Sequence, residues 1–514
     1  MEGSMKLNYK KTFFVGFAFF LISVFWQAYD TIIPKILTDK FGMAQSWSGV
    51  IMALDNILAL FMLPLFGIIS DRCKSKMGRR TPFVLFGTIV AVIGLLLLSR
   101  ADNMQRHLLL DVEPNNPAAQ ETLYNANLEI KKPDGTTLFI QEEFTLEEFT
   151  SIEINNEDGS KNPDYTDLVV PARQAYANQA TQKTKTPLRL FIITLLITLI
   201  AMATFRSPAV ALMPDVTIKP LRSKANAVIN MMGAAGGIVV LLLGMVFKTG
   251  TAKNAVMSYV GFFGAIAAVM IAALLIFMLK VKEPKFVAEM EEESRRLGLE
   301  EDHADESGDK VLSKSEKKSL YLILASVVLW FFGYNAVISK YSIYASSVLN
   351  LDYNLTLMIA TAAAILSFVP VGIVSSKLGR KKTILGGIVI LSVSFLIGSF
   401  IRAGTSPLIM NILFASAGIG WASINVNSYP MVVELAKGGN VGRYTGFYYT
   451  ASMAAQTVTP IISGMLMDKI SFLTLFPYGA FFVALAFFTM SLTKHGDNKP
   501  APVKPSIEVF DALD

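Results

Sequence analysis

Apolar runs separated by short polar breaks set the rhythm of this chain from residue 12 to residue 493. A helix needs about 20 apolar residues to cross about 30 Å of hydrocarbon. That length predicts spans near 12–33, 46–70, 82–99, 188–213, 225–247, 255–280, 319–346, 354–376, 383–402, 406–433, 441–466 and 472–493. The boundaries around 441–466 are the softest, because Gly, Ser, Thr and Tyr interrupt the run. The expected fold class is all-α: a polytopic membrane protein with twelve transmembrane helices in two six-helix bundles. Lys6, Lys10 and Lys11 precede the first run, which is too long for the apolar core of a signal peptide and lacks a small-residue cleavage site. It is expected to stay as a span.

Two polar insertions break the rhythm. The first, 101–187, lies between spans three and four and is rich in acids, among them Glu142, Glu143, Glu147, Glu148, Glu153, Glu157 and Asp158. Apolar alternation in Leu128–Ile130 and Thr137–Ile140, joined by Lys131-Lys132-Pro133-Asp134-Gly135, predicts a β-hairpin. A small folded cap is therefore expected there. The second insertion, 282–318, mixes Glu291-Glu292-Glu293 with Lys317-Lys318 and reads as a solvated linker. The resulting division is 1–100 (spans one to three), the insert 101–187, 188–281 (spans four to six), the linker 282–318, 319–493 (spans seven to twelve) and a tail, 494–514.

Charge orients this arrangement. Alternate breaks carry Arg72, Lys74, Lys76, Arg79 and Arg80, then Lys219, Arg222 and Lys224, then Lys377, Arg380, Lys381 and Lys382, then Lys437 and Arg443. The positive-inside rule puts these breaks and both termini in the cytoplasm and the 101–187 insert outside a cell membrane. Composition narrows the function. Apolar residues make up 53% and charged residues 17%, against about a quarter charged in soluble domains. A single cysteine, Cys73, excludes an internal disulfide or a cysteine-rich metal site, and the three histidines fall in polar stretches. No phosphate-binding loop, catalytic triad or metal constellation is present. No catalytic residue, metal site or cofactor is expected, the chain is not read as an enzyme, and the sequence pI near 9.0 reflects loop charge rather than nucleic-acid binding.

The breaks after spans two and eight repeat one signal. The first reads Gly67-x-x-Ser70-Asp71-Arg72 and then Gly78-Arg79-Arg80; about 300 residues on stands Gly372-x-x-Ser375-Ser376-Lys377-Leu378-Gly379-Arg380-Lys381-Lys382. Such duplication is expected of two bundles that rock around a central site. The positive-inside rule explains the charge but not the Gly-x-x-Ser-Asp-Arg spacing, which resembles the signature loop of the major facilitator superfamily. The fuller string Pro64-Leu-Phe-Gly67 through Gly78-Arg79-Arg80-x-Pro82-Phe83 is similar to the glycoside–pentoside–hexuronide cation symporters, in particular their sucrose–proton branch. So are Arg206-Ser-Pro-Ala-Val-Ala-Leu-Met-Pro-Asp215 and Gly442-Arg443-Tyr444-Thr445-Gly446-Phe-Tyr448-Tyr449 with Gln456 and Pro460. The resemblance covers the chain outside the insert and tails, and implies alternating access with sugar and cation moving together. It departs in two places. Ala59 and Leu63 stand where sodium-coupled melibiose-type symporters carry paired aspartates, and Leu195 stands where the sucrose branch carries an aspartate. A proton is the expected coupling ion, with sodium left open.

Ionisable groups inside spans cost roughly 2.5–3.5 kcal/mol each at the bilayer centre, so they must pair or line a polar path. Four qualify: Asp30, Asp55, Arg206 and Lys340. Asp55 is the deepest acid and the candidate for cation coupling, with Asp30 second. Asp30 follows Gln27 and Tyr29, an acid, amide and aromatic set that suits sugar hydroxyls. Arg206 cannot discharge and needs carboxylates, carbonyls or water. Asn56, Asn335, Asn425 and Gln456 complete the expected substrate lining, beside Asn230 and Asn427, although such amides also serve simply to join helices. Lys340 is read either as a coupling group, if buried, or as an ammonium near the outer surface, the simpler view. Asp71, Arg72, Gly78, Arg79 and Arg80 are expected to form a cytoplasmic gate. The function so implied is sugar–cation symport of a disaccharide or glucoside. Two alternatives are a proton-driven exporter of hydrophobic compounds and a sensor whose insert binds an extracellular partner.

Overall fold

In the computed structural model the described residues are 7–218, 221–297, 312–435 and 441–497. Lys219, Lys437 and most of the C-terminal tail lie outside them, as do the side chains of Arg222, Lys224 and Arg443. Twelve long helices follow the twelve apolar runs: α1 Tyr9–Lys40, α2 Gln45–Asp71, α3 Thr81–His107, α4 Thr186–Asp215, α5 Arg222–Val246, α6 Val260–Lys280, α7 Lys314–Ser347, α8 Tyr353–Leu378, α9 Arg380–Gly398, α10 Pro407–Val433, α11 Val441–Lys469 and α12 Leu475–Ser491. Ten of these helices are long and apolar enough to cross a membrane, and the chain is a multi-pass membrane protein.

The packing is duplicated. In the first half α1 lies against α5 and α6, α4 against α2 and α3, and α3 against α6. The second half repeats each contact with equivalent helices: α7 against α11 and α12, α10 against α8 and α9, α9 against α12. Between the halves, α2 meets α11, α5 meets α8, and α1 meets α7, as a two-fold relation between six-helix units requires. Small residues make the close approaches. A Cβ on Gly236 would crowd the Phe20 carbonyl, and one on Gly233 would stand 3.0 Å from the Ser23 hydroxyl, so α5 sits tight on α1.

Helices overrun the apolar runs where polar residues find partners. α3 continues past residue 99 to His107 because Asp102 pairs with Lys40 at 2.6 Å and the Gln105 amide donates to the Lys40 carbonyl and the Thr181 hydroxyl. Both Lys40 and Asp102 are fully buried.

The segment between α3 and α4 is folded, with its own apolar core around Ile130, Ile140, Phe149, Tyr165, Val169 and Val256. Strands β1 Glu129–Lys131 and β2 Thr137–Phe139 pair antiparallel, with Ile130 opposite Leu138. Most of the rest is helix, including Ala119–Ala126 and Val170–Lys183. We call this side of the protein the insert face and the opposite side the linker face. On the linker face the segment after α6 is a helix, Glu283–Arg296, docked on the first half rather than a solvated tether. Lys11 donates to the Phe286 carbonyl and pairs with Glu289, and Glu283 is buried.

Candidate functional site between the halves

The halves touch closely at the insert face. There a Cβ on Gly49 of α2 would collide with the Pro460 backbone of α11, and one on Gly464 with the Gln45 backbone. Towards the linker face both helices carry exposed residues: Leu60 of α2 is 51% exposed and Tyr449 of α11 is 52% exposed. Among the described residues, every hydrogen bond joining the halves lies at the insert face. Asp468 accepts from the Gln45 and Ser46 amides, Lys340 donates to the Gln45 carbonyl, and Thr249 bonds Tyr353 and Asn354. The structure is thus shut at the insert face; toward the linker face, where the side chains of 222–224, 441–443 and 445–446 lie outside the described residues, exposed residues of α2 and α11 border a groove.

Three charged residues from three helices of the first half meet in this groove. Asp30 of α1, Asp55 of α2 and Arg206 of α4 act electrostatically on one another, and Arg206 also acts on Tyr449 across the groove. Arg206 closes no contact ion pair among the described residues; its guanidinium carbon stands 5.3 Å over the Trp26 ring, a cation–π placement. Asp55 accepts from the Asn56 amide at 2.9 Å. The guanidinium therefore lies over an aromatic face and within the field of both carboxylates, with no hydrogen bond to either among the described residues. Trp26 also keeps its indole N–H buried without a partner among the described residues.

The second half presents amides and rings instead. Tyr334 and Trp421 stack at 3.7 Å with planes 2° apart, and Phe331 meets Trp421 edge-on at 5.3 Å. Beside them the Asn335 amide nitrogen is buried and unpartnered among the described residues. Asn425 is exposed, and Gln456 donates only weakly to its own helix, to Ser452 at 3.3 Å. Asn427 is tied to Ser423 and Asn230 is exposed.

Other expected site residues are engaged in helix packing. Tyr29 is 3% exposed, and its hydroxyl donates to the Ile51 and Met52 carbonyls of α2. In this state it braces α1 against α2, within the electrostatic field of Asp55 and Asp30. Gln27 packs against α5, its side-chain oxygen 3.3 Å from where a Gly237 Cβ would stand. Lys340 is fully buried in the seam at Gln45, on the insert-face side, rather than exposed there.

The basic loop after α2 makes its ion pairs inside the first half. Arg80 bonds Asp71, Asp215 and Ser70, Arg79 bonds Asp215, and Arg72 is exposed. Burial works against the Arg80 charge, but Asp215 and Asp71 outweigh it and hold its pKa above the ordinary value. Gly78, at φ +108°, packs on Glu283, whose carboxylate accepts from the Arg79, Arg80 and Thr81 amides and the Thr81 hydroxyl. Sequence reasoning missed Glu283, because Lys282-Glu283-Pro284 at the head of a charged stretch looks solvated.

Comparison with known proteins agrees with this architecture. The chain matches the sequence model of the Major Facilitator Superfamily over residues 180–369 and 352–510, and that of MFS/sugar transport proteins over 14–110. It is 37% identical over 62 residues to sucrose transport protein SUC4 of Arabidopsis thaliana, 12% of each chain. It is 31% identical over 91 residues to the human proton-associated sugar transporter A, 18% of this chain and 12% of that one. A general alpha-glucoside permease of Schizosaccharomyces pombe is 30% identical over 65 residues, 13% of this chain and 12% of that one. The chain thus spans about an eighth of the length of these curated relatives. The inward open conformation of the xylose transporter XylE from E. coli superposes with a TM-score of 0.57 at 14% identity, covering 98% of this chain and 100% of that one. The nucleoside transporter NupG gives 0.56 at 12% identity, covering 94% and 99%. These likenesses are of fold.

Proposed function

The chain belongs to the Major Facilitator Superfamily, and from that premise we propose that it carries a sugar, a disaccharide or glucoside, across the membrane together with a proton by alternating access. The observation that carries this reading is the mid-span cluster of Asp30, Asp55 and Arg206 facing a wall of amides and stacked rings across an open groove. Sugar hydroxyls donate and accept at once. The carboxylates supply acceptors, the guanidinium and the Asn335, Asn425 and Gln456 amides supply donors, and the Tyr334–Trp421 stack supplies a flat apolar face. The matched relatives are named for sucrose, for proton-associated sugar transport and for alpha-glucosides, which supports the same substrate class.

Coupling follows from charge balance. Two carboxylates face one guanidinium, so with both ionised the cluster carries one surplus negative charge inside the span. Binding one proton neutralises the set. Asp55, bonded by Asn56 and within the field of Arg206, is the group assigned to this proton, and Asp30 the sugar-facing partner. The insert face is extracellular and both termini cytoplasmic on this reading, which makes the open groove cytoplasmic.

The decisive experiment is uptake by purified protein in liposomes with imposed proton or sodium gradients and a panel of radiolabelled saccharides. Proton-driven accumulation of a glucoside is expected, and Asp55→Asn should abolish accumulation while leaving exchange. Accumulation undiminished in that variant removes Asp55 from coupling. We assign Asp71, Arg72, Gly78, Arg79 and Arg80 to the linker-face gate. The pairs that Asp71, Arg79 and Arg80 make within the first half hold the loop in the shape that meets the second half when that face closes. Asp71→Asn should raise the reactivity of a groove cysteine toward linker-side reagents; unchanged reactivity removes the gate.

A further inference from the structure

The insert is rooted in the first half. It is covalently continuous with α3 and α4, its core includes Val256 from the α5–α6 connection, Arg106 of α3 donates to the Val256 carbonyl and pairs with Glu113, and Asn178 donates to the Gly42 carbonyl. Yet its hairpin turn is seated on the second half. The Pro133 carbonyl accepts from the Phe472 amide at 2.9 Å and from the Ser471 hydroxyl, and the Lys131 ammonium donates to the Asp468 carbonyl. Gly135 lies so close to the Ile470 carbonyl that any Cβ would collide with it. The turn is itself held in shape by Asp134, which accepts from the Thr136 amide and hydroxyl. Two further bonds cross at other points: Asn350 donates to the Ile154 carbonyl, and Gln174 reaches both Asp39 and Ser347.

The hairpin docks at the segment that also seals the seam. Asp468 uses its main-chain carbonyl for Lys131 and its carboxylate for the Gln45 and Ser46 amides at the start of α2. The carboxylate at that helix N-terminus meets unsatisfied amides and the positive end of the helix dipole. Lys340, fully buried on α7, binds the carbonyl and side-chain oxygen of the same Gln45. Asp468 and Lys340 belong to the same half and already act on each other electrostatically. When α2 withdraws, they are left with each other, so neither is stranded.

We propose that the insert is a latch on the insert face, its Lys131–Gly135 turn clamping residues 468–472 of the second half, and that it must release for the protein to open on that side. Lys131 and Asp468 thereby set the balance between the two access states. The latch rests on alternating access as proposed above, but its test needs no substrate. Ser48 of α2 is fully buried in the sealed seam and reports opening there. In a Cys73→Ser, Ser48→Cys background, alkylation of residue 48 by a bulky maleimide is measured on purified protein in detergent. Lys131→Met, which removes one ammonium from a half-buried site, and Gly135→Val, which cannot seat on Ile470, should each speed alkylation at least about ten-fold, equivalent to about 1.4 kcal/mol. Limited proteolysis shows whether the insert of Gly135→Val stays folded; if it does not, Lys131→Met alone decides. Rates unchanged in the variants with folded inserts overturn the latch. Failure of every saccharide in liposomes, with the alkylation response intact, overturns the substrate assignment and leaves the latch standing.

Discussion

The two halves agree where they face the linker side and differ where they face each other. After α2, Gly78 at positive φ packs on Glu283, and Arg80 pairs with Asp215 at the end of α4. After α8, Gly379, also at positive φ, has Asp497 against it, and Arg380 pairs with Glu434 at the end of α10. In each half an acid just beyond the sixth helix accepts backbone amides at the start of the third: Glu283 for α3, Asp497 for α9 through the Lys381 amide. A loop whose φ only glycine adopts easily, a basic residue and two acids form one device, used twice. The groove walls share no such pattern. Charge is concentrated in the first half, and rings and amides in the second. Scaffold is duplicated, then, and the groove chemistry is divided; on the reading proposed above, the first half holds the proton and shares the sugar with the rings and amides of the second.

That division breaks most readily at Arg206. Replacing it with Leu leaves Asp30 and Asp55 facing each other at mid-span without a counter-charge. Gradient-driven uptake should fall by at least about a hundredfold, with Asp55→Asn added to the Arg206→Leu background recovering folded protein but not coupling. If Arg206→Leu accumulates sugar normally, charge in the first half does not drive transport.

A second-half change should act on recognition instead. Trp421→Ala removes the plane stacked on Tyr334 and opens the wall beside Asn335. An aromatic contact of this kind is worth about 0.5–1.5 kcal/mol beyond its buried area. The KM for sugar should therefore rise about ten-fold, the maximal rate under a fixed proton gradient should change little, and Trp421→Tyr should retain most affinity. A loss of maximal rate with KM unchanged would place coupling in the second half as well.

How much of this could be read from the chain depends on how loud each residue is in an apolar run. The twelve helices were legible because length and hydropathy alone define them, and the two-fold repeat showed in the glycine and basic spacing after spans two and eight. Asp30, Asp55 and Arg206 stood out because ionised groups are rare inside spans, and the fold brings all three together. Trp421 and Tyr334 did not, since rings at helical spacing look like ordinary core until a partner helix is placed. Asp468, Glu434 and Glu283 were silent for a different reason. Each ends or follows a helix, where an acid seems solvated, and each gains its role only when another segment delivers backbone amides or a guanidinium to it. Tyr29 sits beside Asp30 in sequence, and the helix turn points its hydroxyl at the α2 carbonyls of Ile51 and Met52.

The smallest expected effect separates the duplicated devices themselves. Glu283 is 1% exposed and accepts from three amides and a hydroxyl, whereas Asp497 is half-buried and accepts from one amide. Hydrogen bonds to a buried charged acceptor contribute about 1.5–3 kcal/mol each when lost with the partner left buried, and partly solvated ones much less. Glu283→Gln keeps one acceptor oxygen and the shape, so it should lower stability by about 2–3 kcal/mol, read as a clear drop in the thermal unfolding midpoint in detergent. Asp497→Asn should lower it by less than about 1 kcal/mol. Neither should change the KM for sugar, because both acids act at helix ends on the linker face, away from the groove. Equal shifts in the two variants would mean that the second device is as firmly built as the first; a shift in KM with either would tie the linker face to the binding site and join the scaffold to the chemistry it supports.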